Sequence, residues 1–200
     1  MLYTKYFLQR RLPTIAVFVF TCMWGNSLAQ EPAEKEEEAF YPHHQLSLVL
    51  SHAQVFEGRD AEGKKKTLSL PSWGIDYTYQ FQPKWAIGLH TDIIVEKFEV
   101  EKHLESGGEG EVLERSYPIA PALMGIYKPT EHWGFLLGMG GEFAKEENFL
   151  LTRAGVEYSS ELPKGWEVFG SLGYDFKWNA YDTWVIGIGI AKKLGKKKQD

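Results

Sequence analysis

A strict alternation of residue types over positions 166–194 constrains the fold of this chain more than any other feature. In its first half, every second residue is large and apolar except at Gly170, namely Trp166, Val168, Leu172, Tyr174, Phe176 and Trp178. After a break at positions 179–182, the pattern returns with Trp184, Ile186, Ile188 and Ile190, which alternate with small residues. A period of two residues predicts a β-strand with one apolar face. The segment therefore predicts an antiparallel hairpin with an apolar face on both arms.

The same period recurs in six earlier segments, so we predict about eight strands over residues 44–194. The tight connections contain Pro83, Pro129 and Pro163, whereas two long polar connections cover 57–66 and 99–112. Each strand is about as long as the ~9–11 residues that a tilted strand needs to cross a bilayer. A change of phase before Pro71 predicts a bulge in the second strand. The fourth strand is predicted over about 113–127. The pattern predicts an all-β, antiparallel up-and-down barrel.

The apolar face of such a barrel can point to lipid or to a ligand cavity, as in a soluble lipocalin-like barrel. The seven Trp, ten Tyr and twelve Phe residues have too much volume for the interior of eight strands, which side chains fill easily. The aromatic residues also fall into two belts, as expected at two lipid–water interfaces. Beside the tight turns lie Phe81, Trp85, Tyr127, Trp133, Tyr158 and Trp166; at the opposite ends lie Trp73, Phe98, Phe143, Phe176, Trp178 and Trp184. We therefore favour a transmembrane barrel.

The N-terminus has the features of an export signal. Basic residues precede an apolar run over 12–24, and Ser27-Leu28-Ala29 fits a cleavage site, which predicts a signal peptide over 1–29. Cleavage would remove Cys22, the single cysteine, and leave a mature chain more acidic than the net charge of −5 of the whole sequence. Such a chain is a poor partner for nucleic acid. We expect residues 30–43 to form a flexible periplasmic leader and 195–200 a basic periplasmic tail.

Strand number, alternation, short turns and aromatic strand ends resemble the small outer-membrane β-barrels of the OmpA and OmpX kind. The closing strand Trp-Val-Ile-Gly-Ile-Gly-Ile at 184–190 is the clearest element of this resemblance. It implies an outer-membrane location in a Gram-negative bacterium, contact with outer-membrane lipid, and assembly by periplasmic chaperones and the barrel-insertion machinery. It implies neither catalytic residues nor a cofactor. The chain departs from the family where it continues beyond Ala191 into a lysine-rich tail instead of ending at a terminal aromatic residue.

The face opposite the apolar one predicts a polar lumen. We expect it to hold Asp76, His90, Asp92, Glu96, Glu114, Glu142, Arg153, Glu157, Glu167, Asp175 and Lys177. Because buried charges are costly without partners, Arg153 and Lys177 should each bridge several carboxylates and fill the barrel with a polar network. The alternative is an acidic ion site around Asp92, Glu96 and His90.

The sequence favours a non-enzymatic membrane protein that contributes to envelope integrity, surface interaction or very limited ion passage. A lipid A-modifying enzyme is the first alternative, but Ser51 and His52 are adjacent and face opposite sides, and no serine lies two residues from His52. A soluble ligand-binding barrel is the second. His43, His44, His103 and His132 lack the spacing of metal ligands, so no metal site is predicted.

Overall fold

The computed structural model of the protein describes residues 40–60, 62–102 and 111–195. The predicted signal peptide over 1–29, the leader up to residue 39, most of the acidic connection at 103–110 and the tail at 196–200 lie outside the described residues.

Within these described residues there are ten strands, and eight of them close an antiparallel barrel in the order β1-β10-β9-β8-β7-β6-β3-β2. The strands are β1 (His43–Val55), β2 (Leu68–Gln82), β3 (Trp85–Ile94), β4 (Lys97–Lys102), β5 (Glu111–Ser116), β6 (Ile119–Tyr127), β7 (Trp133–Glu142), β8 (Phe149–Leu162), β9 (Trp166–Lys177) and β10 (Asp182–Leu194). The first and last strands pair from His44 opposite Leu194 to Val55 opposite Thr183. The eight-stranded barrel is confirmed.

The outward surface of the barrel is apolar, because the alternation places one large side chain in every two on that side. Leu137, Leu150 and Ile188 are each more than 60% exposed. Eleven of the twelve predicted belt residues are also exposed, although less than these three. The exception is Phe98, which is buried. Since the tryptophans of β9 and β10 point outward, the soluble barrel with an inward apolar face is excluded.

One end of the barrel carries the tight turns and the other the long connections; we call them the turn end and the loop end. At the loop end, β4 and β5 form a separate two-stranded sheet outside the barrel. The connection from β1 to β2 pairs with this sheet through Gly58 and Val100. We call β4, β5 and the described part of residues 56–67 the extension. The predicted fourth strand was therefore wrong in its first part, since Tyr117, with a φ of 51°, and Pro118 separate β5 from β6.

The predicted bulge at Pro71 is also wrong. Strand β2 pairs with β1 without a register shift from Leu68 to Gln80, and the irregularity of β2 lies at Gln80–Gln82, near the turn end. The apolar phase changes before Pro71 because Leu70 faces inward into a buried apolar cluster at the loop end. Within the described residues, no helix is long and apolar enough to cross a membrane.

Candidate functional site in the barrel lumen

Nine of the eleven residues predicted for the lumen lie on the inward face of the barrel. Seven of them are buried, and Asp92 and Glu157 line an internal cavity. The nine are Asp76, His90, Asp92, Glu142, Arg153, Glu157, Glu167, Asp175 and Lys177.

Glu96 and Glu114 are the two corrections. Glu96 follows the end of β3 at Ile94 and is exposed, and Glu114 lies on β5 in the extension. The Glu114 carboxylate is 4.0 Å from Lys97 Nζ, with both side chains more than half exposed. The prediction extended the inward phase beyond the barrel strands, where alternation no longer indicates the lumen. The alternative ion site around Asp92, Glu96 and His90 is consequently not assembled.

Arg153 organises the centre of the lumen. Its Nε and Nη2 donate to the two carboxylate oxygens of Asp175, at 2.6 and 2.7 Å, and Nη2 also lies 2.7 Å from Asp92 Oδ2. This bidentate geometry is the strong form of an arginine–carboxylate contact. It joins β8 to β9 and, across the lumen, to β3. We call Arg153, Asp92 and Asp175 the central cluster.

A weaker polar group lies beside the central cluster on β2 and β3. Asp76 Oδ2 is 3.7 Å from His90 Nδ1, and His90 Nε2 is 3.3 Å from Thr78 Oγ1. The backbone amide of Thr91 donates to Asp76 at 3.3 Å. These long contacts hold the imidazole between two polar neighbours without the short geometry of the central cluster.

A second charged cluster lies at the loop end. The guanidinium of Arg115 contacts Glu142 Oε1 through Nη2 and through Nε, the latter at 3.1 Å. Tyr181 donates its hydroxyl proton to the same oxygen at 2.6 Å, and Lys177 Nζ is 3.4 Å from Glu142 Oε2 and donates to Thr183 Oγ1 at 2.6 Å. We call Arg115, Glu142, Lys177 and Tyr181 the loop-end cluster. Lys177 thus meets one carboxylate here instead of the several predicted.

Aromatic and aliphatic side chains enclose the loop-end cluster. The Arg115 guanidinium stacks over Phe149 at 4.8 Å, and Lys177 Nζ lies 4.4 Å from the centre of the Tyr181 ring. Tyr181 also meets Phe98 and Phe149 edge to face. Burial raises the pKa of Tyr181 well above its ordinary value, and the nearby Glu142 raises it further. The tyrosine therefore keeps its proton and acts as a donor.

Sequence reasoning missed two members of this cluster. Arg115 and Tyr181 are fully buried, yet Arg115 lies on the extension and Tyr181 in the short β9–β10 connection. Neither belongs to a barrel strand, so the two-residue period carries no information about them. The available signal was chemical: an arginine within an acidic stretch and a tyrosine in a polar turn.

An internal cavity of about 60 Å³ lies next to the central cluster. Its lining includes Asp76, His90, Arg153 and Glu157, together with glycines 155 and 173. Since one water centre needs about 10–15 Å³, the cavity has room for a few waters. A smaller space of about 10 Å³ lies beside Glu142 and Lys177. Because Asp92 and Asp175 also line this space, it lies between the central cluster and the loop-end cluster.

The outward face carries one polar group that the sequence did not reveal. Gln54 Nε2 donates to Ser69 Oγ at 2.6 Å, and Ser69 Oγ is 3.5 Å from His52 Nδ1. Ser69 comes from the neighbouring strand, which is why a search along the strand of His52 did not find it. The Ser–His separation is at the outer limit of a hydrogen bond. Among the described residues, no carboxylate orients the His52 ring, and no group of three or more His, Cys, Asp or Glu side chains is arranged to hold a metal ion.

Comparisons with known proteins support the fold. No protein-family model matches the chain, and no curated protein matches it. Among solved structures, the outer membrane protein OprG of Pseudomonas aeruginosa has a TM-score of 0.52 at 14% identity, over 77% of this chain and 97% of OprG. The N-terminal β-barrel domain of OprF from the same organism has a TM-score of 0.50 at 10% identity, over 77% and 100%. The attachment invasion locus protein Ail of Yersinia pestis aligns with a TM-score of 0.49 at 14% identity, over 78% and 100%. The chain has the fold of the small eight-stranded outer-membrane barrels.

Proposed function

We propose that the protein is a non-enzymatic, integral outer-membrane barrel whose lumen is closed to solutes, and which exposes the extension at the cell surface. The observation that carries the proposal is the loop-end cluster. Arg115 comes from the extension, Glu142 from β7 and Lys177 from β9, and the three charged groups meet inside the barrel with Tyr181. Side chains from separate parts of the chain thus fill the lumen where a passage would have to open.

The energetics favour a permanently filled lumen over a switchable one. Breaking a buried ion pair by removing one partner costs about 3–5 kcal/mol, since the remaining charge is left without compensation. Opening the loop end would expose Glu142, or separate its carboxylate from two cations and from a tyrosine hydroxyl. The central cluster repeats the arrangement deeper in the barrel, with Arg153 between two aspartates.

The orientation follows from the positions of the ends. The barrel begins at His43 and ends at Leu194, both at the turn end. In outer-membrane barrels, short turns face the periplasm and long loops face outward. The loop end, including the extension, is therefore assigned to the outside of the cell, and its role there is structural or one of surface interaction.

Liposome swelling tests the closed lumen. The mature protein is reconstituted into liposomes, and uptake of small sugars is compared for the wild type, the double variant Arg115→Ala/Tyr181→Ala and the control Arg59→Ala. Arg59 is a matched arginine of the extension that pairs with Glu101 at a partly exposed site. We expect no swelling for the wild type or the control, and faster swelling for the double variant.

The proposal would be overturned if liposomes with the wild type swelled as fast as liposomes with an open porin. It would also be overturned if the double variant were folded and its liposomes swelled no faster than those of the wild type. A heat-modifiability gel establishes folding of every sample. Lipid A modification is tested separately by mass spectrometry of lipid A from cells with and without the protein. Identical spectra are expected, and a loss of an acyl chain that depends on the protein would assign an enzyme instead.

A further inference from the structure

The turn end of the lumen holds four buried polar side chains for which the described residues supply no partner. They are Gln45 and Ser47 of β1, Ser159 of β8 and Glu167 of β9, each only 6 or 7% exposed. In contrast to the central and loop-end clusters, none of the four side chains forms a hydrogen bond or an ion pair with another described residue. Since buried polar groups are almost always hydrogen-bonded, these exceptions indicate a partner from outside the described residues.

Strand register brings these four side chains to one section of the wall. Glu167 pairs with Ala191 and Ala191 pairs with Ser47, so Glu167 and Ser47 stand two strands apart in one row, at about 10 Å. Gln45 and Ser159 are each one inward position from this row. The unpaired side-chain atoms that are sealed from solvent in the described chain belong to other residues. The polar atoms of the four side chains therefore remain accessible to a ligand.

Glu157 of β8 adds a second carboxylate at the same end. A Cβ at Gly134 would lie 3.9 Å from Glu157 Oε2 and equally far from Lys128 Cγ, so the carboxylate lies beside the stem of that lysine. Glu157 also lines the internal cavity next to the central cluster. Within the described structure, its carboxylate accepts no hydrogen bond and forms no ion pair. Glu157 therefore places a second unpaired charge between the cavity and the turn end.

The formal charges on the inward side of the turn end do not balance. Three glutamates, Glu157, Glu161 and Glu167, accompany two lysines, Lys128 and Lys193. Lys193 pairs with Glu161. Lys128 can compensate only one of the other two carboxylates, and a buried charge without a partner is costly. One additional positive charge is therefore expected at this end of the lumen.

We propose that the turn-end site, formed by Gln45, Ser47, Glu157, Ser159 and Glu167, binds a primary ammonium group. Such a group is compact, positively charged and has three N–H donors and no acceptor, which suits a site of carboxylate, amide and hydroxyl oxygens. A metal ion fits less well, because no three His, Cys, Asp or Glu side chains of the described chain are arranged to hold one. The inference goes beyond the closed lumen, since it concerns the opposite end of the barrel.

Two sources can supply the ammonium group. One is the chain itself, because Lys196–Lys198, which lie outside the described residues, follow Gly195. Gly195 is four residues beyond Ala191, the partner of Glu167, which is about 13 Å along the strand. Three further residues span up to about 10 Å, and the lysine stem adds to this reach. The other source is a free polyamine from the periplasm, with which a tethered lysine competes at an effective concentration in about the millimolar range.

Binding of the diamine cadaverine to the full mature protein in phosphatidylcholine nanodiscs tests the turn-end site. Calorimetry gives the Kd, and NMR of carbon-labelled glutamate carboxyl groups locates the bound amine. Pentanediol serves as an uncharged analogue of the same shape. The site variant is Glu157→Gln/Glu167→Gln, and the control Glu114→Gln/Glu131→Gln removes two exposed carboxylates.

A tail variant, Lys196→Gln/Lys197→Gln/Lys198→Gln, distinguishes the two sources. In this background we expect cadaverine to bind and to shift the carboxyl resonances of Glu157 and Glu167. Adding the site variant should weaken binding at least about tenfold, since hydrogen bonds to charged groups are lost, whereas the control substitutions should leave the Kd unchanged. Tighter binding to the tail variant than to the wild type assigns the native ammonium to the chain, and equal binding assigns it to a free amine.

The proposal would be overturned if the site variant bound cadaverine as tightly as its parent. It would also be overturned if neither carboxyl resonance responded, because water alone would then solvate the unpaired groups, or if pentanediol bound as tightly as cadaverine. A heat-modifiability gel establishes that each variant is a folded barrel. A wild type that fails this gel would overturn the membrane function instead of the ammonium site.

Discussion

The loop end and the centre of the lumen use similar residues in different ways. At the loop end, one carboxylate, Glu142, serves two cations and a tyrosine within an apolar enclosure. At the centre, one cation, Arg153, serves two carboxylates beside a cavity of about 60 Å³. The aromatic rings around the loop-end cluster make each of its polar partners important, whereas the cavity gives the central groups room for solvent. Under the proposed function, this difference assigns closure of the lumen to the loop end and its filling to the centre.

The largest effect is expected from Glu142→Ala. The substitution leaves Arg115 and Lys177 buried without their carboxylate, which should lower the free energy of unfolding by about 3–5 kcal/mol. Urea unfolding in lipid vesicles, followed by tryptophan fluorescence, measures it. The control Glu114→Ala removes an exposed glutamate of β5 and should change stability by less than about 0.5 kcal/mol. Similar values for the two variants would refute the special role of the loop end.

Thr183→Val comes next, because it removes the hydroxyl that accepts a hydrogen bond from the buried Lys177 ammonium at 2.6 Å. Hydrogen bonds to charged groups contribute about 1.5–3 kcal/mol, and valine keeps the shape of threonine. We expect a loss in that range by the same unfolding measurement. A neutral Thr183→Val would mean that water reaches Lys177.

Two glycines of the inward face differ in how closely the neighbouring strand approaches them, which gives a test of the local difference in packing. A Cβ at Gly140, near Glu142, would lie 2.1 Å from the Pro121 carbonyl oxygen, whereas a Cβ at Gly173, beside the cavity, meets nothing closer than 4.0 Å. Gly140→Ala should therefore cost about 1–3 kcal/mol, as overpacking does. Gly173→Ala should be neutral or stabilise by up to about 1 kcal/mol. Equal effects of the two substitutions on the urea midpoint would contradict the difference in packing.

The smallest effect is expected from Thr78→Val, which removes the hydroxyl next to His90 Nε2 beside the cavity. A neutral hydrogen bond contributes about 0.5–1.5 kcal/mol, and its 3.3 Å length places this one at the low end. Since this contact is longer than the Lys177–Thr183 hydrogen bond and involves no ammonium group, the loss should be smaller than for Thr183→Val. A larger loss of stability for Thr78→Val than for Thr183→Val would contradict the stronger dependence of the loop end on its polar contacts.

The barrel itself was predictable because its wall obeys a simple rule. A side-chain period of two residues fixes which residues face lipid. The hairpin at 166–194, the tight turns and most belt residues were therefore predicted correctly. The bilayer-facing exposure of Trp166 and Ile188 follows from that period alone. Nine lumen residues were placed on the inward face by the same argument.

Beyond the barrel strands, the period loses its meaning. Glu96 and Glu114 continue the inward phase in sequence but lie outside the wall, while Arg115 returns from the extension into the barrel. The position of Leu70 suggested a bulge because an inward residue was expected to be polar, whereas the inside of the loop end is apolar. Contacts between paired strands, such as that of Ser69 with His52, depend on register, which the pattern of a single strand does not contain.

The central claim is that the filled lumen conducts nothing, and ionic current through single molecules tests it most directly. Wild-type protein is inserted into planar bilayers at neutral pH, and insertion is established by heat-modifiability of the same preparation. We predict no resolved current steps. Although ions are smaller than sugars, the loop-end cluster should block their passage as well. Stable, reproducible steps from the wild type would contradict the claim and would mean that the charged groups of the lumen line a working ion passage.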